Sequence, residues 1–380
     1  MEIKPKLPNW GTSIFTVMSR MAVEYNAINL AQGFPDFNCD DELIELVHHY
    51  QKKGFNQYAP MQGVPTLRQS ISEKIKKLYV KYYDPETEIT ITAGATQALF
   101  TAITSIVEKN DEVIIFEPAY DSYVPDILSN GGIPVYIPLN PIDYSYDWDL
   151  VRKNITRKTK AIIFNSPHNP TGTLIKENDI IELEKILRGT NILILSDEVY
   201  EHITFDNNIH ISLASSDELS KRAFVVSSFG KTYHTTGWKM GYCVAPEYLT
   251  KEFRKMHQFI VFSANTPIQY AYADFMKQEE RYLSLGKFYQ SKRDIFLEKI
   301  KYSKFNFKKC DGTYFQLLEY SAISNKSDTE FAEFLTKEIG VAVIPLSPFY
   351  KDRKSRSVVR VCFAKSEDVL KKAAELFQKL

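Results

Sequence analysis

The sequence contains few cysteines, no long apolar run and no C-x-x-C pair. Its four cysteines are scattered as Cys39, Cys243, Cys310 and Cys362. This spacing argues against a disulfide framework or a zinc site, and it favours buried free thiols in a reducing compartment. The N-terminal string MEIKPKLPNW lacks the apolar segment of a signal peptide, and no run is long enough to span a bilayer. We therefore expect a cytoplasmic protein with no membrane partner.

Net charge and short catalytic motifs are also absent. Lys+Arg and Asp+Glu are both 47, so the formal net charge is +0, and we expect no nucleic-acid partner. The sequence has no H-E-x-x-H, G-x-S-x-G, Walker or G-x-G-x-x-G string, so metalloprotease, hydrolase and nucleotide-binding interpretations lack support. His48 and His49 are adjacent but have no ligand at metal-binding spacing. We expect them on a helix surface and expect no bound metal.

Short apolar strings in the middle of the chain predict the fold. They are TKAIIFNSP, NILILSDEV, FVVSSFG and KMGYCVAP, and helical patterns separate several of them. Strands that are apolar throughout are typical of a mostly parallel sheet flanked by helices, so the predicted class is α/β. Ligands of such sheets bind beyond the carboxyl ends of the strands. The polar residues that end these strings are therefore candidate site residues.

The chain is long enough for two domains, and its character changes towards the C-terminus. With 380 residues it exceeds the usual size of one domain. The strings KKCDGTYFQLLEY, SVVRVCFAK and VLKKAAELFQKL predict a smaller α+β unit. We predict a large domain over residues 30–280 and a small domain over residues 1–29 and 281–380.

A lysine-containing segment follows one of the apolar strands. The string SSFGKTYHTTGWKMGY offers Ser228, Lys231 and Lys239 with small residues between them. A lysine of lowered pKa can form a Schiff base with an aldehyde cofactor, and a second lysine with a serine hydroxyl suits a phosphate. A solvated loop lysine is the alternative when this string is considered alone.

Two residues of the string SDEVYEH could face one small ring. Asp197 and Tyr200 lie three positions apart on a predicted turn after the apolar run NILIL. A carboxylate against a pyridine nitrogen keeps that nitrogen protonated and makes the ring an electron sink. A tyrosine hydroxyl beside the phenolic oxygen of the same ring would help to set its pKa. A helix cap or a surface charge is the ordinary alternative for Asp197.

Two further strings are weaker signals when taken singly. NSPHNPTG, residues 165–172, follows another apolar strand and could simply be a turn, because Asn, Pro and Gly favour turns. TAGATQAL, residues 92–99, predicts a strand-to-helix junction whose first N–H groups could bind a phosphate.

Taken together and in this order, the strings resemble the class-I aminotransferases among the fold-type I pyridoxal-phosphate enzymes. The resemblance runs from NLAQGFPDF and NQYAPMQGVPTLR to RVCFAK, which is nearly the whole chain. SFGKTYHTTGWKMGYCVAP and EPAYDSY are similar to the branch of bacterial methionine aminotransferases and the kynurenine and glutamine transaminases. The resemblance implies a large domain with a mostly parallel central sheet, a smaller α+β domain and pyridoxal 5'-phosphate as cofactor.

The resemblance also implies a role for each matching residue. Lys231 matches the catalytic Schiff-base lysine, and Asp197 matches the partner of the pyridine nitrogen. Tyr120 matches the aromatic residue stacked on the ring, while Tyr200 and Asn169 match the groups bonded to the phenolic oxygen. The other implied positions are Ser228, Lys239, Ala95 and Thr96 for the phosphate, Gly33, Asn169 and Arg360 for the substrate carboxylate, and Tyr58 for the phosphate of a neighbouring subunit.

The implied substrates are amino acids and 2-oxo acids, handled by a homodimer with shared sites. Methionine is the expected amino donor, with aromatic amino acids, kynurenine or glutamine as further donors. The alternatives are a kynurenine–oxoglutarate transaminase or cysteine-S-conjugate β-lyase, a cofactor-sensing transcription regulator and a silent scaffold. A regulator would need a basic DNA-binding module, and the retained Lys231 and Asp197 argue against a scaffold. His234 could support catalysis or serve only in packing. Phe349 and Tyr350 could line the edge of the substrate pocket or lie in the core.

Overall fold

The computed structural model describes residues 3–8 and 10–380, and a seven-stranded sheet lies at its centre. Strand β8 is antiparallel to both of its neighbours, and the other pairs are parallel. The predicted mostly parallel sheet is therefore confirmed. In spatial order the strands are β2 (Ile89–Thr92), β8 (Gly241–Val244), β7 (Ala223–Ser228), β6 (Leu193–Asp197), β5 (Thr159–Asn165), β3 (Glu112–Glu117) and β4 (Ile133–Pro138).

Both faces of this sheet are buried. Successive side chains of a strand point to opposite faces, and the neighbours Ile162 and Ile163 of β5 belong to two different apolar clusters. Ile114 and Ile115 of β3 divide in the same way. Burial on both sides explains why the strand sequences are apolar throughout and do not alternate with polar residues.

Helices cover the two faces and build the remainder of the chain. None of the helices in the described residues is both long enough and apolar enough to traverse a membrane. The helices are α1 (Ile14–Glu24), α2 (Asp41–Lys52), α3 (Pro65–Tyr79), α4 (Ala95–Ile106), α5 (Tyr123–Ser129), α6 (Trp148–Asn154), α7 (Glu177–Leu187), α8 (Phe229–Thr232), α9 (Glu247–Ile260), α10 (Thr266–Phe275), α11 (Glu280–Leu283), α12 (Leu285–Ile300), α13 (Asp328–Phe334) and α14 (Glu367–Phe377).

The C-terminal part forms two smaller sheets, as expected for an α+β unit. An antiparallel sheet has the order β11 (Ile344–Pro345), β12 (Val358–Cys362) and β9 (Phe315–Glu319), and β1 (Ile28–Asn29) pairs in parallel with β10 (Val341–Ala342). Helix α1 contacts β10 and β11, and α12 packs on α14. The N-terminal segment therefore contacts the C-terminal part, while the division at residues 29 and 280 stays a prediction.

The parallel strands bring three polar residues to one edge of the central sheet. Asn165, Asp197 and Ser228 are the last residues of β5, β6 and β7. These strands are adjacent and parallel, with Asn165 opposite Asp197 in the register. The carboxyl edge of the sheet is therefore polar, although the core of the sheet is apolar. Ligands of such sheets bind at this edge.

Candidate active site

A cavity of about 390 Å³ opens at this polar edge. It is lined by every residue that the sequence predicted for the site except Tyr58. These lining residues are Gly33, Ala95, Thr96, Tyr120, Asn169, Asp197, Tyr200, Ser228, Lys231, Lys239 and Arg360. Residues from distant parts of the sequence therefore meet in one place.

Lys231 lies in the short helix α8, directly after β7. Its Nζ donates hydrogen bonds to the carbonyl oxygen of Gly33 at 3.0 Å and to the hydroxyl of Tyr314 at 2.7 Å. Burial lowers the pKa of the Lys231 amine to about 8, because removal from water disfavours the charged form. About a tenth of the amine is then neutral at pH 7, far more than for an ordinary lysine, which makes it a candidate nucleophile and base.

Asp197 is buried at the end of β6. Burial raises the pKa of its carboxyl to about 6, while the hydrogen bond from the Tyr123 hydroxyl to Oδ2, at 2.6 Å, acts in the opposite direction. Asn165 donates from Nδ2 to the main-chain oxygen of Asp197 at 2.9 Å, which ties β5 to β6 at the site. The carboxylate is therefore fixed in position and suited to face a cationic or protonated group.

Arg360 is only 1% exposed and points from the middle of β12 into the cavity. It donates from Nη1 to Oδ1 of Asn169 at 2.6 Å and from Nη2 to the oxygen of Ala31 at 3.2 Å. Its Nε has no hydrogen-bond partner in the described residues, and no described carboxylate lies within ion-pair distance of it. Burial lowers the pKa of this guanidinium. An unpaired buried guanidinium is costly, so it suits a ligand with a carboxylate.

The start of α4 forms a corner of the cavity with uncapped N–H groups. Gly94, at φ 82°, precedes the helix, and no side chain caps the first turn. A Cβ at Gly94 would lie 3.6 Å from Nζ of Lys239, and a Cβ at Gly241 would lie 2.9 Å from the main-chain nitrogen of Ala95. The Cβ at Gly241 would be too close, so Gly241 keeps the corner open, whereas Gly94 is favoured by its positive φ. Free N–H groups at a helix start, next to a lysine and Ser228, fit a phosphate group.

Tyr58 lies outside this cavity. It is 84% exposed and meets the ring of Phe262 at 5.3 Å between centroids, in a separate surface depression. His234 packs edge-to-face on Phe37 and Tyr289 and does not line the cavity. Phe349 is buried and does not line the cavity, but its ring lies 5.4 Å from the Arg360 guanidinium, so both alternatives stay open for it.

Sequence reasoning did not single out two tyrosines of the site, Tyr123 and Tyr314. Both are buried and hydrogen-bonded to predicted site residues, Asp197 and Lys231 respectively. Their signals were the second tyrosine of EPAYDSY and the first tyrosine of CDGTYFQLLEY. His48 and His49 are exposed on α2, and within the described chain no group of three or more metal-ligating side chains is present.

The comparison with known families agrees with this geometry. The profile of the family "Aminotransferase class I and II" matches residues 25–377. The chain belongs to this family and is an aminotransferase, as its sequence predicts.

The chain is also similar to individual aminotransferases whose substrates are named. The chain is 48% identical to methionine aminotransferase of Escherichia coli (strain K12), over 99% of this chain and 97% of that protein. It is 33% identical to kynurenine–oxoglutarate transaminase of Dictyostelium discoideum, over 98% and 95%. The crystal structure of YbdL from Escherichia coli, described as having a methionine aminotransferase function, superposes with a TM-score of 0.98 at 47% identity, covering 100% of both chains.

Proposed function

We propose that this aminotransferase uses pyridoxal 5'-phosphate to move the amino group of methionine to a 2-oxo acid by a ping-pong mechanism. Aromatic amino acids, kynurenine and glutamine are the proposed secondary donors. The observation that carries the proposal is one cavity holding the Lys231 amine, with its pKa lowered to about 8, the Asp197 carboxylate and the unpaired Arg360 guanidinium. The names of the two curated relatives support the substrate range.

The cavity walls fit the proposed cofactor. The uncapped start of α4, with Ser228 and Lys239, would hold its phosphate. Asp197 would face the ring nitrogen, and Tyr120 would cover one face of the ring. When bound, the cofactor supplies an electron sink that stabilises negative charge on the substrate carbon.

Arg360 would bind the α-carboxylate of the amino acid. Asn169 already orients one edge of its guanidinium at 2.6 Å, and the stacking of Arg360 on Phe315, 3.8 Å from the ring centroid, holds the group flat. Binding by a planar guanidinium fixes the rotation of the substrate as well as its position. Gly33 lies on the same wall and would complete the carboxylate site.

Lys231 would move the proton. Its lowered pKa leaves the amine partly neutral near neutral pH, as a general base requires. We propose that Lys231 would hold the cofactor through Nζ and that, once the amino acid has freed it, the neutral Nζ would accept the proton from the substrate α-carbon.

The remainder of the wall favours an apolar side chain on the substrate. Within the described residues, the cations on the wall are Lys231, Lys239 and Arg360, and each already has a proposed partner. A second carboxylate, as in aspartate, would find no cation of its own there. The apolar and aromatic lining consists of Phe15, Phe34, Leu99, Tyr120, Val199, Tyr200, Met240 and Phe315.

We further propose a cytoplasmic homodimer. Tyr58 is exposed, as are Phe259 and Phe262, so a second copy could cover this patch and receive Tyr58 at its phosphate site. The four cysteines are buried and unpaired, which fits a reducing compartment.

A half-reaction tests the substrate proposal. Each candidate amino acid is added to the cofactor-loaded protein without an acceptor. The rate at which the bound cofactor loses its visible absorption is then measured. Methionine is expected to react faster than aspartate, and Lys231→Ala provides the inactive control. Faster reaction with aspartate would refute the methionine preference. Release of pyruvate and ammonia from a cysteine conjugate, with no 2-oxo acid present, would instead favour the β-lyase alternative.

A further inference from the structure

Tyr314 has no part in the mechanism above, yet it contacts the central amine directly. It precedes β9 and is fully buried. Its hydroxyl lies 2.7 Å from Nζ of Lys231 and 2.6 Å from the carbonyl oxygen of Gly33. The carbonyl oxygen of Gly33 also accepts from Nζ at 3.0 Å, so the three groups form a closed triangle.

We propose that Tyr314 is a positioning residue that, with the Gly33 carbonyl, forms a seat for the Lys231 amine whenever the cofactor does not hold that amine. This inference rests on the proposed function, because only an amine that is released and taken up again needs a second fixed position. It adds a role for Tyr314 and for the Gly33 main chain.

The direction of the hydrogen bonds follows from the geometry. The single hydroxyl proton of Tyr314 is donated to the Gly33 carbonyl, which leaves the oxygen lone pairs to accept from Lys231. Burial raises the pKa of the Tyr314 hydroxyl well above its usual value, so the phenol stays neutral. Two neutral acceptors therefore hold the amine and favour its protonated form, against the effect of burial.

Other charged and titratable groups also act on the amine, but from farther away. In the described chain, the hydrogen-bond partners of Lys231 Nζ are Gly33 and Tyr314. None of the other groups is hydrogen-bonded to Nζ there. The Tyr200 ring lies 5.6 Å from Nζ. The groups that raise the pKa of Lys231 are Cys362 and Asp197, and those that lower it are Arg360 and Lys239.

The seat gives the released amine one defined place within the cavity. A lysine side chain carries up to about 2 kcal/mol of rotamer entropy, and an untethered amine would sample many positions around the substrate. Held by Tyr314 and Gly33, Nζ stays at the wall where Gly33 and Arg360 would bind the substrate carboxylate. Proton transfer depends on hydrogen-bond distance to the reacting carbon, so confinement favours it.

Substitution of Tyr314 by phenylalanine would remove the hydroxyl and keep the packing of the aromatic ring. The Tyr314 ring lies 5.2 Å from that of Tyr200, 4.9 Å from Phe315 and 5.6 Å from Tyr289, so a phenylalanine would keep these contacts. Tyr289 supplies a matched control. It is equally buried, and its hydroxyl has no hydrogen-bond partner in the described residues.

The test measures the pKa of Lys231 in the cofactor-free protein. Trace labelling with acetic anhydride across a pH series gives the reactivity of the Lys231 peptide by mass spectrometry. In Tyr314→Phe, loss of a hydrogen bond to a charged group should move the labelling midpoint down by about one pH unit or more. Tyr289→Phe should leave the midpoint in place. After reloading, Tyr314→Phe should show a kcat reduced about tenfold, with KM for the amino acid changed less than twofold.

The outcomes separate the seat from the proposed function. A folded Tyr314→Phe protein with the wild-type midpoint overturns the seat, even if its activity is low. If Tyr314→Phe does not fold, the midpoint of Tyr314→Met is judged in the same way. Failure of the wild-type protein to take up pyridoxal phosphate at Lys231 would instead refute the proposed function. Normal uptake with an unshifted midpoint would refute the seat alone.

Discussion

The hydroxyl of Tyr123 donates a 2.6 Å hydrogen bond to Oδ2 of Asp197, across 74 positions of sequence. Both residues are buried, Tyr123 on α5 and Asp197 at the end of β6. Burial pushes the pKa of the carboxyl up, and this hydrogen bond is the largest effect that opposes it. Tyr123 therefore helps Asp197 to remain ionised, the state in which it can keep a ring nitrogen protonated.

Removal of this hydroxyl should make the enzyme more sensitive to acid. In Tyr123→Phe the pKa of Asp197 should rise further above about 6, by about one unit for the loss of a hydrogen bond to a charged group. The acid limb of the kcat profile should move to higher pH by a similar amount. Tyr136→Phe on β4 is the control. An acid limb at the wild-type position would contradict this role for Tyr123.

Asp197→Asn should lose activity. Its stability relative to the wild type should increase as the pH rises. The folded carboxyl has its pKa raised from 3.8 to about 6, so its favourable contribution is complete below pH 4 and is lost by about pH 7. The difference in unfolding free energy between Asp197→Asn and the wild type should therefore shift towards the variant by roughly 2–3 kcal/mol over this range. Urea unfolding of the cofactor-free proteins at pH 4 and pH 7 measures it. A difference that does not change with pH would mean that Asp197 is not the titrating group.

Arg360 should control capture of the amino acid. Arg360→Ala leaves Asn169 without its 2.6 Å partner and removes the guanidinium, at a cost of roughly 2–5 kcal/mol in substrate binding. KM for methionine should rise at least about thirtyfold. Arg360→Lys should recover only part of the loss, because an ammonium cannot bind a carboxylate with two parallel hydrogen bonds. An unchanged KM in Arg360→Ala would exclude Arg360 as the carboxylate clamp.

Tyr58 should matter only in an assembled protein. If its hydroxyl reaches the phosphate site of a second copy, Tyr58→Phe should weaken retention of pyridoxal phosphate while the dimer remains intact. Dialysis against phosphate followed by absorbance gives the retention, and analytical ultracentrifugation gives the mass. Tyr82→Phe, at another exposed tyrosine, is the control. A monomeric wild-type protein with full activity would contradict the shared site.

The sequence predicted the parts of the site that follow from strand ends. Asp197 and Ser228 close apolar strings that are typical of buried strands in a mostly parallel sheet, so we expected them at the carboxyl edge of that sheet, where the structure places them. The partners Tyr123 and Tyr314 could not be derived in this way. Their hydrogen bonds join elements that are distant in sequence, and no local spacing encodes those contacts.

The position of Tyr58 marks a different limit. In one chain it is an exposed side chain with one aromatic neighbour, and its predicted role depends on a surface of a second copy. The order of the family motifs supplied that prediction, together with the role of Arg360. The local sequence pattern alone would have placed Arg360 in a strand. It would not have indicated which ligand Arg360 binds.

Chemical trapping of the cofactor on the protein identifies the lysine that binds it. The loaded protein is reduced with borohydride, which makes a lysine–cofactor linkage permanent, and the digested peptides are mapped by mass spectrometry. The label is expected on Lys231, whose amine has its pKa lowered to about 8 in the cavity, and no label is expected in Lys231→Ala. A label on Lys239 or another lysine, or none on the wild-type protein, would contradict it.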